Sequence, residues 1–552
     1  MTGHDFESIA APAIAALCAQ HPAQATMLGN HEHDGQLGDP SPAAAERRRR
    51  QLRSLIGQLD ALDRTALDTA SGIDAEILRT EAQSELLLLT ELDEPSWNPM
   101  LHNPGQAIYS LLSRDFAPAA DRLADVVARA AALPDYLAAA RQRLTDCSAV
   151  HIETTIGQLD GSTELLRSEV PRAFAAAGLP QTAEPELTAA TTAVAQHQDW
   201  LRAQLPNARR SPRLGQELFA RKLALTLATP WQPAALLEQA YADLARIEDE
   251  LAELVARRSP GGAGSAEAIA AEFARLGQDM PTSSNILQHC RDALAEATEF
   301  VTEHDLLTLL HDPVEIIEMP EIDRGVAVAY CEGVGALETA ELLTQFAVSP
   351  TPADWSPERM RSFYREYNIH MLHNLTVHEG MPGHVEQLSH ARRYRGDTQV
   401  RAVFGSGSFI EGWAVYAESL MAEHGYRSKV SVDAAHAVRM QQLKMQLRMV
   451  LNTILDITFH TGELDEAAAM ALMTGRGYQE DGEAAGKWRR VQLTSTQLST
   501  YYVGYLEVKQ LIADLRVAKP AWSLRQAHDA VLSFGSPPVR QLRSLLGLAP
   551  AG

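Results

Sequence analysis

From about residue 44 to residue 310, apolar residues return every three or four positions, as at Leu52, Leu55, Ile56, Leu59 and Leu62. This is the spacing of helices that each bury one face, and it leaves little of that stretch for a large sheet. Ala-rich runs such as ADRLADVVARAAALPDYLAAARQRL continue the pattern, and the clusters NPMLHNPGQ, LPQTAEPE, TPWQPA and SPGGAGS punctuate it as helix-to-helix turns. The pattern lapses between Pro313 and Pro350, where VEIIEMP, GVAVAY and QFAVSP are short β-branched runs bounded by proline or glycine. Helical spacing resumes at SPERMRSFYREYNIHMLHNLTVHEG, where Ser356, Pro357 and Glu358 suit the N-cap, N1 and first-turn positions. The expected fold class is mainly α, a large helical body with a small β-sheet near residues 313–350. At 552 residues and 45% hydrophobic the chain can bury a sizeable core, and no short repeat suggests a solenoid.

Charge narrows the partners. Lys plus Arg number 48 against 71 Asp plus Glu, a net charge of −23 that repels nucleic-acid backbones and anionic lipid surfaces. Neither nucleic acid nor a membrane is expected as a partner, and no run of 18 apolar residues suggests a span. The beginning, MTGHDFESIAAPAIAALCAQ, has acidic residues where a secretory signal is basic, and Pro12 interrupts its apolar stretch. Cys18, Cys147, Cys290 and Cys331 lie far apart and read as reduced, mostly buried thiols. A cytoplasmic protein is the expectation.

The chemistry concentrates in Thr376-Val377-His378-Glu379-Gly380-Met381-Pro382-Gly383-His384. The segment resembles the zincin pattern HExxH, in which two histidines one turn apart bind zinc and the adjacent glutamate is the general base. Here the histidines are six residues apart, so on a straight helix they would point about 240° from one another. Pro382 would clash with the carbonyl of His378 itself, and Gly383 tolerates unusual dihedrals, so a kink or bulge is expected to return His384 to the side of His378.

A catalytic zinc site needs a further donor and an open position. Glu411 follows His384 by 27 residues, in GSGSFIEGWAVYAESL, among Phe409, Ile410, Trp413, Ala414 and Val415, where a lone carboxylate would be costly. Glu418, seven residues on and nearly on the same helical face, is an alternative ligand or a group that orients a histidine from behind. Trp413 and Tyr416 read as core, and His370, His373, His390, His31 and His33 read as surface or internally satisfied histidines.

These residues resemble a bacterial family known as domain of unknown function 885, whose members carry an HExxPGH signature and a downstream EGWAxYxE helix. HPAQATMLGNHEHDGQLGDPS, with Gly29, His33, Asp34, Leu37 and Asp39, also looks like that family, as do LPDYLAAARQRL, FAVSP and DITFHTGELDEAAA. The family is similar in fold to helical zinc carboxypeptidases of the Taq type. The resemblance implies a gluzincin-like metallopeptidase with a deep cleft, formed by residues 1–552 as one catalytic unit. Within it, a helical N-terminal part spans about 1–300 and a metal-site part about 301–552. The family's arginine followed by Pro-Gly-Gln and Tyr-x-x-Gly matches Arg490, then Ser495-Thr496-Gln497, and Tyr501 before Gly504, without the Pro-Gly. Val385 stands where the family has a second histidine.

The expected function is a zinc-dependent hydrolase of peptide bonds, a carboxypeptidase or oligopeptidase for short peptides. His378, His384 and Glu411 would hold zinc, and Glu379 would be the general base. Tyr501 or its rival Tyr502, with His460 as a helper, would stabilise the oxyanion. Arg490 would hold a substrate carboxylate, against its plainer reading as a surface arginine in KWRR. FAVSP would be an edge strand that pairs with an extended peptide. The partner is then a small peptide, with a homodimer left open. The rivals are a metal-dependent hydrolase of a non-peptide amide, and a non-catalytic helical binding protein whose histidines and carboxylates form a metal-free cluster.

Overall fold

Side-chain caps set many of the helix starts. Ser41 Oγ accepts the Ala44 N–H at 3.2 Å to open α1 (Pro42–Asp60), with proline at the first helical position, where no N–H is needed. The computed structural model describes residues 3–180, 183–258, 264–320, 328–352, 355–462 and 464–549. Positions 259–263 of the SPGGAGS turn, 181–182 of LPQTAEPE and 325–327 of GVAVAY lie outside the described residues. The fold is mainly α with one small sheet.

The chain forms two compact units. The first comprises Met1–Pro212, Val334–Leu342 and Gly396–Phe404. In it α1 packs on α2 (Thr69–Thr90) through Leu52, Ala82 and Leu89, with Leu55 and Ile56 at the margin. Arg48 adds a two-pronged bond to Glu85 at 2.7 and 2.6 Å. In α3 (Ala119–Arg143) Leu123, Val126, Ala130, Leu133, Leu137 and Ala140 are buried, and this stripe explains its packing on α4 (Glu184–Gln204). Arg401 and Thr398 bond the buried Asp74 of α2 at 2.6 and 2.7 Å, which ties the short segment Gly396–Phe404 to this unit.

The second unit comprises Arg213–Gly333, Leu343–Arg395 and Gly405–Gly552. Its helices include α5 (Pro233–Ala256), α6 (Ile286–Glu303), α7 (Pro357–Glu366), α8 (Ile369–Glu379), α9 (His384–Arg393), α10 (Gly407–Glu423), α11 (Val432–Thr461), α12 (Asp481–Leu493) and α13 (Thr500–Ala518). The 30-residue α11 is buried along most of its length. Leu443, Leu447, Val450 and Ile454 on it share one core with Leu236, Leu244, Ile247 and Leu251 of α5. This packing draws α5, and packing on α8 and β1 draws α6, into the unit that holds His378, so the division falls at Pro212 where the sequence suggested a part ending near residue 300.

The sheet lies where the helical spacing lapses. Its order is β1 (Val314–Glu318), β3 (Thr344–Val348), β2 (Ala329–Glu332), with β1 parallel and β2 antiparallel to β3. FAVSP lies largely in β3, whose Phe346, Ala347 and Val348 are paired on both sides, so the expected edge strand is the central one. Strand addition at FAVSP is therefore ruled out by its own ladder bonds. Among the described residues no helix is long and apolar enough to cross a membrane.

Candidate metal centre

α8 begins at Asn368, whose side chain accepts the His370 and Met371 N–H groups at 3.1 Å each. From Met371 to Glu379 every residue is buried, so this helix runs through the interior. The kink or bulge expected at Pro382 takes the form of a full break: the helix stops at Glu379, and α9 starts afresh at His384. Gly383 makes the return possible. Its N–H reaches the Val377 carbonyl at 3.0 Å, and a Cβ there would lie 1.9 Å from the His378 carbonyl oxygen, a space no other residue can use. Trp413 of α10 is fully buried and donates its indole N–H to the Pro382 carbonyl at 2.8 Å, which holds the turn from the other side.

The two imidazoles meet perpendicular to one another, ring centres 4.8 Å apart. Glu411 Oε2 faces both, 3.4 Å from His378 Nε2 and 3.5 Å from His384 Nε2. The donor atoms of His378, His384 and Glu411 all lie within 4.8 Å of one another. Behind His378, Glu418 Oε1 accepts from Nδ1 at 2.7 Å, while its Oε2 accepts from Asn374 at 2.6 Å. This fixes Nε2 as the nitrogen turned toward Glu411, and it makes Glu418 the orienting group rather than the third donor.

The electrostatics call for a cation. Glu379, Glu411 and Glu418 are gathered around two imidazoles, and Glu411 Oε2 is buried without a hydrogen bond. Burial alone would raise the Glu411 carboxyl, but the facing rings of His378 and His384 hold it well below the usual carboxylate range. Burial would lower His378, yet Glu411 and Glu418 push it well above the ordinary histidine value. A proton can serve one such nitrogen–oxygen pair, whereas a metal ion would satisfy all three donors at once. Two imidazoles, one carboxylate and a further carboxylate that orients the His378 ring fit a bound metal.

Glu379 follows the first histidine directly. Burial raises its carboxyl, the two histidines oppose that rise, and the Cys331 backbone N–H of β2 donates to it. Tyr501, at the start of α13, is raised by burial and then by the charge of Glu411, which keeps its hydroxyl a donor. Arg490 of α12 reaches Gln497 at 3.1 and 2.8 Å and the Tyr501 hydroxyl at 3.5 Å. α10 and α13 cross glycine on glycine, since a Cβ on Gly412 would lie 2.3 Å from Gly504 backbone and one on Gly504 would lie 1.9 Å from the Ser408 carbonyl. Glu411 is the neighbour of one glycine, and Tyr501 is one turn before the other.

Two expected residues are committed elsewhere. Tyr502 is buried in the α5–α11 core and donates to Asp243 at 2.5 Å, so one residue of helix rotation takes it away from Tyr501's surroundings. His460 is not an oxyanion helper: its Nε2 meets the Thr494 carbonyl at 2.8 Å, its ring stacks on Phe219, and burial pulls it down to about 4. Of the histidines read as surface or satisfied, His370 meets Asp279, His373 Tyr426, His390 Thr308, and His31 both Asp34 and Glu338, whereas His33 Nδ1 is buried without a hydrogen bond. Asn374 and the Gly412–Gly504 crossing went unread in the sequence, although both lie one or two turns from residues that were singled out.

The family model described as "Bacterial protein of unknown function (DUF885)" matches residues 22–546. The chain belongs to this family. Among solved structures, this DUF885 chain is similar to a protein of Shewanella oneidensis described as a candidate lipoprotein of unknown function. That likeness has a TM-score of 0.83 and 28% identity, over 98% of this chain and 99% of that one. A candidate lipoprotein from Colwellia psychrerythraea shares the fold at a TM-score of 0.79 and 16% identity, over 99% of this chain and 98% of that one. No curated protein matches the chain.

Proposed function

We propose that this DUF885 protein is a zinc-dependent hydrolase that cleaves peptide bonds in short peptides, as a carboxypeptidase or oligopeptidase. The observation that carries the reading is the convergence of His378 Nε2, His384 Nε2 and the unbonded Glu411 Oε2 beside the buried Glu379. Nitrogen and oxygen donors of this kind favour zinc over magnesium or calcium. Bound there, zinc would supply a Lewis acid that polarises a peptide carbonyl and lowers the pKa of water.

The chain's own groups do the rest. Glu379 takes a proton from the attacking water, for which its burial-raised carboxyl is suited, and passes it to the leaving amine. Tyr501 donates its hydroxyl hydrogen to the oxygen that gains charge. Glu418 keeps His378 in one tautomer through its 2.7 Å bond. The location that goes with this reading is the cytoplasm, supported by the buried thiols Cys18, Cys147 and Cys290. Two structural relatives are described as candidate lipoproteins, so recovery of this chain in the membrane fraction would overturn the location without touching the chemistry.

The test is the metal content of protein purified without an affinity tag, beside His378→Ala/His384→Ala, followed by hydrolysis of short peptides. About one zinc per chain, lost in the double variant, is the expected result. No bound metal, together with no thermal stabilisation by added zinc, would sink the reading.

A further inference from the structure

α12 turns one face inward, with Ala484, Lys487 and Val491 all buried. A lysine in that stripe is unusual, because burying an ammonium without a partner is costly. Lys487 is 6% exposed, and among the described residues it has no carboxylate within ion-pair distance and no hydrogen bond. The carboxylates close by are already taken. Glu366 accepts from Lys444 at 2.8 Å, and Glu483 is paired with Arg448. Arg490, one turn along α12, is likewise left with neutral partners only, the Gln497 amide oxygen and the Tyr501 hydroxyl.

Two basic side chains one turn apart thus lack a free anion to share. Burial, then repulsion from Arg448 and Arg490, pulls the Lys487 ammonium well below its ordinary value, and an incoming carboxylate would reverse that by restoring the charged form. The cluster adjoins the candidate centre through Tyr501, which touches Arg490 and feels the charges of Glu411 and His378.

We infer that Lys487 and Arg490 form a carboxylate-binding subsite, so the preferred substrate is a peptide with a carboxylate that reaches α12. This rests on the peptidase reading and adds a substrate class to it. The carboxylate is either the free C-terminus of the peptide or an acidic side chain, since both present the same two oxygens to a lysine and an arginine fork.

The experiment uses full-length Glu379→Gln protein, which would hold a peptide without cleaving it, and compares calorimetric binding of three ligands. These are acetyl-trialanine as the free acid, its C-terminal amide, and an amidated acetyl-Ala-Glu-Ala. The free acid is expected to bind about tenfold or more tightly than its amide, and adding Lys487→Met is expected to erase the difference. The same Lys487 dependence in the glutamate peptide would assign the subsite to a side chain instead of a C-terminus. Equal binding of all three, no binding of any, or an acid preference that survives Lys487→Met would overturn the inference. Lys487→Met is also expected to raise the melting temperature, because it replaces a buried amine that has no protein partner with an apolar side chain. A lower melting temperature would mark Lys487 as structural and overturn the subsite. Metal content is measured on the same samples, so a zinc-free protein with Lys487-dependent acid binding would refute the peptidase reading while keeping the subsite.

Discussion

Two of the buried histidine–carboxylate groups in the second unit use the same kinds of side chain and are finished differently. At His378, His384 and Glu411, the carboxylate oxygen lies 3.4 and 3.5 Å from two ring nitrogens and accepts no hydrogen bond. At Asp456 and His460, on α11, the carboxylate is fully satisfied by its own surroundings. It accepts the Thr496 and Ser499 N–H groups at 3.1 Å each and the Ser499 hydroxyl at 2.7 Å, while His460 Nε2 is matched to the Thr494 carbonyl. A loop that brings its own donors turns a histidine–aspartate pair into a piece of architecture. A site whose donors converge and stay unmatched needs something from outside.

That contrast is broken most directly at Glu379, the proposed general base. Glu379→Gln keeps the shape and the three metal donors but removes the proton acceptor, so kcat for peptide hydrolysis is expected to fall by about 10²–10⁴ with zinc content unchanged. Asp456→Asn is expected to leave kcat per folded molecule unchanged and to cost about 1–3 kcal/mol in urea unfolding, because it weakens three accepted hydrogen bonds in a fully buried place. If Asp456→Asn abolished hydrolysis and Glu379→Gln did not, the assignment of the two groups would have to be exchanged.

The two adjacent tyrosines repeat the contrast on one helix. Tyr501→Phe is expected to lower kcat by about 10²–10³ through loss of an oxyanion donor, with little change in melting temperature. Tyr502→Phe loses the bond to Asp243 and leaves that carboxylate short of a donor, so its effect is expected on stability, about 1–2 kcal/mol, and not on kcat. Steady-state kinetics beside thermal unfolding separates the two, and equal kcat losses would mean that α13 presents both rings to the substrate.

How much of this was legible in the sequence follows from the range of each signal. The convergence of His378 and His384 could be read because Pro382 and Gly383 between them act over a few residues, and Glu411 stood out as a carboxylate in an apolar helix. The small sheet was legible from β-branched runs, but its order was not, because β3, the last of the three in the chain, inserts between β1 and β2 only through long-range pairing. Tyr501 and Tyr502 could not be separated, since the choice depends on how α13 is rotated, and Gly504 against Gly412 sets that rotation. The inclusion of α5 with α11 is a packing decision between segments about two hundred residues apart, which local periodicity does not record. Lys487 was within reach. It shares a helical stripe with Ala484 and Val491, and a charged residue in an apolar stripe is a local anomaly, although its neighbours in KWRR suggested an exposed face.

A smaller effect on hydrolysis is expected from the group that stands behind the proposed metal donors. Glu418 is buried like Asp456 and accepts two hydrogen bonds, from His378 and Asn374, where Asp456 accepts three, so by burial and bonding alone it belongs with the architectural group. It differs in what its partner faces, because the other nitrogen of His378 points at Glu411. Glu418→Gln is therefore expected to weaken zinc affinity about 10–100-fold, read by competition with a chelator, while peptide hydrolysis at saturating zinc falls only modestly. The neutral amide can still accept from His378 Nδ1, but it no longer adds negative charge to the ring and so makes it a poorer donor. Loss of folding stability with unchanged zinc affinity would move Glu418 into the same class as Asp456, and the orientation of His378 would then have to come from the packing of α8 alone.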